Sequence, residues 1–377
     1  MSDKRRGKLK RVMIIAIIII AVLTAATFAY MQQSKFGKHP TGARLERIKR
    51  SPHYRDGQFQ NLHKTTTLVE GHNYFEVLYD SYIKRKPRKY PIELIPSVKT
   101  DLINLELDLD VLVWFGHSSY FMQIDGKRIL VDPVFSGNAS PIPGTVKSFQ
   151  GTDIYSINDL PYIDFLFISH DHYDHVDYET LVALKRKVGK VICGLGVGEH
   201  FEHWGYEATR IVEGDWGDRI TLDDGFTTFV ETARHFSGRG FATNKTLWAS
   251  FLLQTPTMKI YIGGDSGYDN HYIDIGKKHG FVDLAILDNG QYNEAWQYIH
   301  LLPKDVLQAA QDLHAKRILP VHSSKFVLGS HDWDEPLAKI TELNKSYNML
   351  IATPMIGEVV NLKDMKQKFA PWWSGIR

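Results

Sequence analysis

The sequence has little cysteine, little net charge and no low-complexity segment. Cys193 is its single cysteine, so an internal disulfide is impossible and a disulfide-stapled scaffold is excluded. The 45 basic and 43 acidic residues leave a formal charge of +2, which offers little long-range attraction to a polyanion. Hydrophobic residues make up 43% of the 377 residues, enough for a large buried core. We therefore expect a globular protein that does not have nucleic acid as a partner.

The N-terminus carries the longest apolar run of the chain. Residues 12–30 contain no charge, and a helix of that length matches the roughly 30 Å hydrocarbon core of a bilayer. We expect a single transmembrane helix. A cleavable signal peptide is the alternative, because the start is basic and Ala25, Ala26 and Ala29 resemble a cleavage region. Basic residues flank the run on both sides but are denser before it, which favours placing the main body outside the cytoplasm.

Composition and turn residues divide the rest of the chain. The segment before about residue 100 is polar, basic and interrupted by prolines, which indicates a tether that becomes an N-terminal extension. Beyond it, β-like runs alternate with segments of helical composition, which places the chain in the layered α+β or α/β classes. Asp125-Gly126 lies between two apolar runs and is typical of a tight β-hairpin. The predicted units are a basic tail (1–11), an anchor (12–31), the extension (32–99), one main domain (100–362) and a C-terminal tail (363–377).

The central motif is SHDHYDH, which lies at the end of the apolar run 162–169. It supplies four potential metal ligands within six residues: His170, His172, Asp174 and His175. In extended backbone, residues two apart point to the same side, so the first two imidazoles face one site. Imidazole and carboxylate are ligands for zinc, and a set without thiolate also admits manganese or iron. Four donors at this density indicate a metal site.

Three more donors each follow a β-like run elsewhere in the sequence. His235 follows FTTFVETAR, Asp265 follows KIYIGG and His322 follows RILPV. Taken singly, each would be interpreted as a cap or a solvated loop residue. Strand ends converge at one edge of the sheet in layered α/β proteins, and sites form there. Together with the SHDHYDH donors, these residues suffice for two metal ions.

The chain resembles the metallo-β-lactamase superfamily, and within it the N-acylphosphatidylethanolamine-hydrolysing phospholipase D branch and its bacterial relatives. The resemblance covers about residues 40–362. It rests on the segments WFGHSSYFMQIDGKRILVDPVFS, SHDHYDHVD, GGDSGY, DLAILDNGQY and PVHSSKF and on the segment around His235. It implies an α+β metallo-β-lactamase fold, a four-layer αβ/βα sandwich with two metals at one edge of the two sheets.

The resemblance also implies which residues hold the metals. One metal would be bound by His170, His172 and His235. The second would be bound by Asp174, His175 and His322, with Asp265 bridging the two. Asp174 and Asp265 would then also be catalytic, because one adds negative charge to its site and the other orients both metals.

Other residues receive weaker assignments. By resemblance, His300 lines the substrate site and would bind phosphate or assist the leaving group; a surface or helix-cap histidine is the alternative. His117 and Asp132 follow strands near the metal edge and are expected to hold metal ligands in place. His331 is expected to shape a loop.

A few conspicuous residues are interpreted as structural. The glycines of CGLGVG (194–198) do not have the dinucleotide-binding spacing, so we expect a strand-to-helix turn there. Trp372 and Trp373 are expected to pack against the domain, and Cys193 to lie in the core.

These observations favour a single-pass membrane hydrolase with two Zn²⁺ ions. Two cations would activate water and neutralise charge on an attacked phosphoryl group. The resemblance implies a phosphodiesterase of phospholipase D type that cleaves N-acyl phosphatidylethanolamine-like lipids. A lactonase or another carbon-centred hydrolase on the same metals is one alternative, and a non-enzymatic envelope binding or scaffold protein is another. The sequence leaves the oligomeric state open.

Overall fold

The computed structural model describes residues 3–79, 83 and 88–377. Part of the predicted extension, residues 80–82 and 84–87, lies outside the described residues. In chain order, the strands are β1 (Tyr54–Arg55), β2 (Gln58–Phe59), β3 (Val111–Trp114), β4 (Tyr120–Ile124), β5 (Lys127–Val131), β6 (Ile163–Ile168), β7 (Val188–Gly194), β8 (Ile211–Gly214), β9 (Arg219–Thr221), β10 (Thr227–Glu231), β11 (Ser250–Gln254), β12 (Lys259–Ile262), β13 (Leu284–Asp288), β14 (Arg317–Val321), β15 (Leu350–Ile351) and β16 (Val359–Asn361).

The helices are longest at the N-terminus and otherwise short. In chain order they are α1 (Asp3–Met31), α2 (Gly42–Ile48), α3 (Tyr74–Leu78), α4 (Tyr178–Leu184), α5 (Gly198–His203), α6 (His271–His279), α7 (Pro303–Asp312) and α8 (Glu335–Tyr347). A short 3₁₀ turn, Ser34–Phe36, follows α1 directly. The strand-to-helix turn predicted at CGLGVG is confirmed, because β7 ends at Gly194 and α5 begins at Gly198.

The first seven-stranded sheet has the order β16-β3-β4-β5-β6-β7-β8. Its first four strands pair antiparallel, and the pairs from β5 to β8 are parallel. The predicted hairpin joins β4 to β5, with Ile124 opposite Lys127. Asp125 and Gly126 both have positive φ, 48° and 74°, as a two-residue turn of this kind requires.

The second seven-stranded sheet has the order β15-β14-β13-β12-β11-β10-β9 and repeats the same plan. Strands β9 to β12 pair antiparallel, and the pairs from β12 to β15 are parallel. An antiparallel run followed by a parallel run therefore occurs once in each seven-stranded sheet. An α-helix connects the strands of each parallel pair except β5 and β6, which are joined by a long segment that contains only the 3₁₀ turn Ile157–Asp159.

Three apolar clusters define the layers. The largest lies between the sheets, where Phe167 of β6 packs against Phe251 of β11 with ring centroids 5.3 Å apart. Such an aromatic pair contributes about 0.5–1.5 kcal/mol beyond its buried area. A second cluster joins the first sheet to α4 and α5, and a third joins the second sheet to α6, α7 and α8. This is the predicted four-layer αβ/βα sandwich, which the structure confirms.

Helix α1 stands apart from this core. Its segment Gly7–Met31 has none of its most apolar window buried, and by length and composition it could cross a membrane. The chain after it returns to the domain: Ile48 of α2 and Phe59 of β2 are fully buried in the inter-sheet cluster. At the other terminus, Trp372 and Trp373 are buried in the same cluster, as predicted. The proposed division into units stays a prediction.

Candidate metal centre

The seven predicted metal donors lie together at the carboxyl ends of four strands. The SHDHYDH loop leaves β6, while His235, Asp265 and His322 follow β10, β12 and β14. Six of the seven side chains are buried, and His172 is partly exposed. The structure thus brings together residues that are up to about 150 positions apart in the sequence, as the pattern of strand ends predicted.

Three ring nitrogens form the first cluster. Nε2 of His170 lies 2.8 Å from Nδ1 of His172, and Nε2 of His235 lies 3.3 Å from the same Nδ1. The rings meet edge to face, with centroids of His170 and His172 4.4 Å apart. Three ring nitrogens that meet in one small volume have the geometry of a cation site, because imidazole nitrogen is a common zinc ligand.

A second cluster lies beside the first and contains Asp174, His175, His322 and also His117, with ligand atoms within 4.8 Å of one another. Asp265 connects the two clusters. Its Oδ2 lies 3.2 Å from Nε2 of His175 and 3.8 Å from Nε2 of both His170 and His235. Its Oδ1 lies 3.2 Å from Nδ1 of His322. Asp265 therefore occupies the position between the clusters that the resemblance implies.

The electrostatics of the clusters suit divalent cations. Burial pulls the pKa of His170, His235 and His322 well below its usual value, so these imidazoles are neutral and have a free lone pair. Burial tends to raise the pKa of the Asp265 carboxyl, but His175 is the largest of the opposing influences, which together hold that pKa well below the usual range. His175 differs, because Asp265 and Asp174 outweigh the burial of its ring and raise its pKa well above the usual value. A cation bound by His175 would therefore displace a proton.

Two buried polar atoms at the centre of the clusters also indicate that cations bind there. Among the described residues, Nε2 of His175 and Oδ1 of Asp265 accept or donate no hydrogen bond. An unpartnered buried polar atom costs about 1–3 kcal/mol. Metal ligation would satisfy both atoms, so the residues present fit a pair of cations.

Contacts behind the donors fix the orientation of their rings. Asp132 accepts hydrogen bonds from Ser169 N at 2.9 Å, Ser169 Oγ at 2.6 Å and His175 Nδ1 at 2.9 Å. His235 donates Nδ1–H to the carbonyl of Ile299 at 2.8 Å. In each case Nδ1 is engaged and Nε2 is turned toward the centre. Nε2 of His117 lies 2.8 Å from Oδ2 of Asp174. The contacts that the predicted roles of His117 and Asp132 require are thus present.

The backbone at the metal edge is strained. His117, Asp132 and His322 have φ of 53°, 41° and 68°, a region that costs a residue with a side chain about 1–3 kcal/mol. His117 and His322 lie on facing loops of the two sheets, and His322 N donates to His117 O at 2.9 Å. His117 N in turn donates to Ser323 O at 2.8 Å. This small ladder joins the sheets at the site and maintains the strained geometry.

His300 lies at the same edge of the sheets and pairs with Asp288, which was not among the predicted site residues. Its Nδ1 is 2.8 Å from Oδ2 of Asp288, which ends β13, and 4.0 Å from Oδ2 of Asp265. Burial raises the pKa of Asp288 to about 7, and its negative form raises the pKa of His300 despite burial of the ring. Asp288 follows a β-like run as Asp265 and His322 do, so its placement was a signal that could have identified it.

His331 contacts a loop near the site rather than the clusters. Its Nε2 accepts a hydrogen bond from Gln291 N at 2.8 Å, and Gln291 lines the cavity above the donors. This placement agrees with the expected loop-shaping role.

A cavity of about 280 Å³ opens over the clusters. His172, Asp174, His235, Asp265, His300 and His322 form its polar floor. Its walls are mainly apolar and are formed by Leu68, Tyr74, Val77, Phe236, Trp296, Ile299 and Leu328. Tyr74 and Val77 belong to α3, whose Phe75 is 85% exposed beside them. A polar reacting group would fit at the floor with apolar substituents along the wall.

Comparison with known proteins agrees with this geometry. Residues 127–323 match the family described as beta-lactamase superfamily domain. An uncharacterized protein of Mycobacterium tuberculosis is 35% identical over 327 residues, covering 86% of this chain and 87% of that protein. The N-acyl-phosphatidylethanolamine-hydrolyzing phospholipase D 1 of Caenorhabditis elegans is 28% identical over 248 residues, covering 61% and 68%. Outer membrane protein RomA of Klebsiella pneumoniae is 53% identical over 106 residues, covering 28% and 80%.

Solved structures share the fold at low sequence identity. Igni18, a metallo hydrolase of Ignicoccus hospitalis, is 19% identical with a TM-score of 0.51, covering 67% of this chain and 97% of that one. CmlA, a diiron β-hydroxylase of Streptomyces venezuelae, is 18% identical with a TM-score of 0.50, covering 67% and 54%. The family match and the relative that is 35% identical over 86% of the chain show that this protein belongs to the metallo-β-lactamase superfamily and is a metal-dependent hydrolase.

Proposed function

We propose that this protein is a membrane-anchored dinuclear zinc phosphodiesterase of phospholipase D type. Its reaction would be the hydrolysis of an N-acyl phosphatidylethanolamine-like lipid to phosphatidate and an N-acylethanolamine. The observation that carries the proposal is the pair of donor clusters that share Asp265 at the floor of an apolar-walled cavity. The phospholipase D relative supports the choice of substrate class.

The proposed ligand sets follow the two clusters. His170, His172 and His235 would hold one cation, and Asp174, His175 and His322 would hold the other. Asp265 would contact both. Bound cations would supply Lewis-acid polarisation of the phosphoryl group and an activated water at neutral pH. Asp132 and the Ile299 carbonyl would keep the imidazoles of His175 and His235 in the tautomer that presents Nε2.

His300 and Asp288 would handle the leaving group. The pair retains a proton near neutral pH, because the carboxylate raises the pKa of His300 and burial raises that of Asp288 to about 7. A protonated His300 at the cavity floor can pair with a phosphate oxygen or donate a proton to the departing alkoxide. Asp288 would keep the ring in place during either step.

The size and walls of the cavity support a lipid whose chains remain largely outside. A volume of about 280 Å³ suits a head group but not complete acyl chains. Apolar side chains of α3 lie at the wall, and the exposed ring of Phe75 extends that surface outward. A phosphodiester could therefore reach the floor while its acyl chains stay in an apolar environment.

The N-terminal helix would hold this site at the bilayer. Its apolar segment Gly7–Met31 is long enough to span, and tethering raises the effective concentration of the domain near lipid head groups. The relative named as an outer membrane protein agrees with an envelope location. We propose a single-pass protein with its catalytic domain on the extracytoplasmic side. The intact mass of the membrane-extracted protein distinguishes a retained anchor from a cleaved signal peptide.

Substrate class is tested by offering three chemistries to the purified full-length protein in detergent. The substrates are N-acyl phosphatidylethanolamine, a bis-p-nitrophenyl phosphodiester and a panel of lactones. We expect phosphatidate and N-acylethanolamine as products, with ¹⁸O from labelled water in the phosphatidate, because water attacks phosphorus. The Asp265→Ala variant serves as the inactive control.

Two results would overturn the proposal in different ways. Preferential turnover of lactones would assign the same metals to a carbon-centred hydrolase. Metal analysis tests the cofactor, and we expect two equivalents of zinc. Iron in place of zinc would change only the identity of the proposed metal, since CmlA, which has a similar fold, is a diiron enzyme. Less than one equivalent of any transition metal after careful purification would favour a scaffold protein.

A further inference from the structure

A buried hydrogen-bond network joins the metal-binding loop to the chain that follows α1. We name residues 34–38 the post-helix segment. Arg239, only 4% exposed, donates from Nη2 to the carbonyl of Lys35 at 2.7 Å. From Nη1 the same guanidinium donates to the carbonyls of Asp171 and Val176, at 2.9 and 2.8 Å. Its planar guanidinium therefore connects the post-helix segment to the SHDHYDH loop at Asp171 and to Val176, the residue directly after that loop.

His200 of α5 forms a second link between the same two elements. Its Nδ1 accepts a hydrogen bond from Lys38 N at 3.0 Å, so the ring proton resides on Nε2. Nε2 then donates to Oδ2 of Asp171 at 3.1 Å. Asp171 lies between the proposed ligands His170 and His172 in the sequence. Its carboxylate also accepts from Thr246 Oγ1 and Gly238 N, at 2.8 and 2.7 Å.

The post-helix segment fits closely against this ring. Gly37 has φ +74°, and a Cβ added there would lie 2.1 Å from Nδ1 of His200. Phe36 packs edge to face on Tyr173 of the metal-binding loop, with centroids 6.1 Å apart. Tyr173 in turn lies under the Arg239 guanidinium, whose carbon is 4.1 Å from the ring centroid. The segment therefore contacts the loop by packing as well as by hydrogen bonds.

We propose that the post-helix segment is a positioning element of the metal centre, which it holds in register through Arg239 and His200. The SHDHYDH loop has no strand or helix of its own between β6 and α4. The backbone carbonyls of Asp171, inside the loop, and of Val176, directly after it, are therefore held by this network and not by strand pairing. Loosening the network would move His172 and Asp174 while leaving the strands intact.

The inference rests on the proposed metal ligation by the loop but not on any particular substrate. It predicts that the segment connecting the anchor to the domain is required for tight metal binding. Neither Arg239 nor His200 faces the cavity over the clusters. Their effect would therefore pass through the loop backbone, which makes them positioning residues.

The first test compares two buried arginines in the full-length protein. Arg239→Met removes the network, and Arg317→Met is the matched control. Arg317 is 3% exposed and also donates to two backbone carbonyls, those of Asn361 and Asp364, away from the donor clusters. The readouts are Co²⁺ affinity, measured by competition with a chelator, the visible absorption spectrum of the Co²⁺ protein, and thermal melting.

We expect Arg239→Met to weaken Co²⁺ binding about 10–100-fold, the range for residues that orient metal ligands, and to change the ligand-field spectrum. Arg317→Met should lower the melting temperature but leave both metal readouts as in the wild type. Arg239→Lys should recover part of the affinity, because an ammonium can still reach one or two of the three carbonyls.

The second test perturbs the segment itself and remains informative should Arg239→Met fail to fold. Gly37→Ala drives a methyl group into the His200 ring, whereas Gly42→Ala introduces the same methyl at φ +55° with nothing within 4 Å. Both variants bear the cost of a positive φ, and only the first should weaken Co²⁺ binding.

The outcomes separate this inference from the proposed function. The inference alone would be overturned by one combination of results. The wild type would bind two Co²⁺, and Arg239→Met and Gly37→Ala would bind them with the same affinity and spectrum as the wild type. A wild-type protein that binds no metal would overturn the proposed function and this inference together. Equal losses in Gly37→Ala and Gly42→Ala would also contradict a specific contact with His200.

Discussion

The two halves of the αβ/βα sandwich have sheets of the same plan but present their donors differently. In the first half, one loop after β6 carries four donors within six residues. In the second half, His235, Asp265 and His322 come from three strands, one donor each. The first arrangement is a local property of the sequence. The second exists only because β10, β12 and β14 end at the same edge of one sheet.

The two halves therefore depend on different parts of the fold to position their metal donors. The loop needs side-chain contacts to fix it, because Asp132 and Arg239 are what hold its backbone and rings. The strand-end donors need pairing register, since a slip by one residue would turn each side chain to the opposite face. Substitutions that remove a donor, a support or a distant contact should therefore have graded effects.

Asp265 is where the two halves meet, so its loss should have the largest effect. We expect Asp265→Ala to lower the metal content to one equivalent or less and the hydrolytic rate by about 10³-fold, because the shared carboxylate contacts both clusters. Metal analysis and assays on the soluble phosphodiester measure both. Asp274→Ala, on the exposed face of α6, is the control. Retention of two metals would contradict the shared position.

His300 tests whether the second half also supplies chemistry beyond metal binding. We expect His300→Gln to lower kcat about 100-fold or more while two metals stay bound, because the variant cannot exchange a proton at the cavity floor. The exposed His203→Gln on α5 should leave kcat unchanged. Metal loss in His300→Gln would make it a ligand instead.

Asp132 tests how far the first-half loop depends on its support. Asp132→Asn should weaken metal affinity about 10–100-fold without removing a ligand, because the amide cannot serve as acceptor for all three donors. Asp164→Asn is a matched control at the other end of β6, where that carboxylate accepts from Arg128 N at 2.9 Å. Equal metal affinity in the two variants would show that Asp132 does not support metal binding.

Glu231 at the end of β10 should affect stability with little effect on metal binding. Burial tends to raise its pKa, but His279 and Lys278 outweigh this and lower it from 4.5. A lowered folded-state pKa stabilises the protein above pH about 4.5, and the benefit is lost as pH falls through the folded value. We expect Glu231→Gln to cost about 1–3 kcal/mol at pH 7.

Urea unfolding as a function of pH measures this effect. The difference between wild type and Glu231→Gln should shrink as the pH is lowered from 5 toward 3. A difference that stays constant over that interval would show that the carboxylate is not stabilised by its charge.

Much of this architecture could be predicted from local sequence patterns. The Asp125-Gly126 hairpin, the apolar N-terminal helix and the SHDHYDH loop all depend on residues within a few positions of one another. Periodicity and turn chemistry act over that range, so they are visible in the sequence. The resemblance to a known superfamily added the pairing of sheets and the grouping of His235, Asp265 and His322.

Other features came only from the tertiary structure. Asp288 ends a β-like run, but that placement does not identify its partner; the pairing with His300, 2.8 Å away, came only from the fold. Arg239 and the post-helix segment are about 200 positions apart and meet only through packing. The amino-acid sequence by itself determined the donors, the hairpin and the apolar helix, because short-range forces act on neighbours. Which distant backbone groups support those donors was decided by the folded chain, because burial alone brings them within hydrogen-bonding distance.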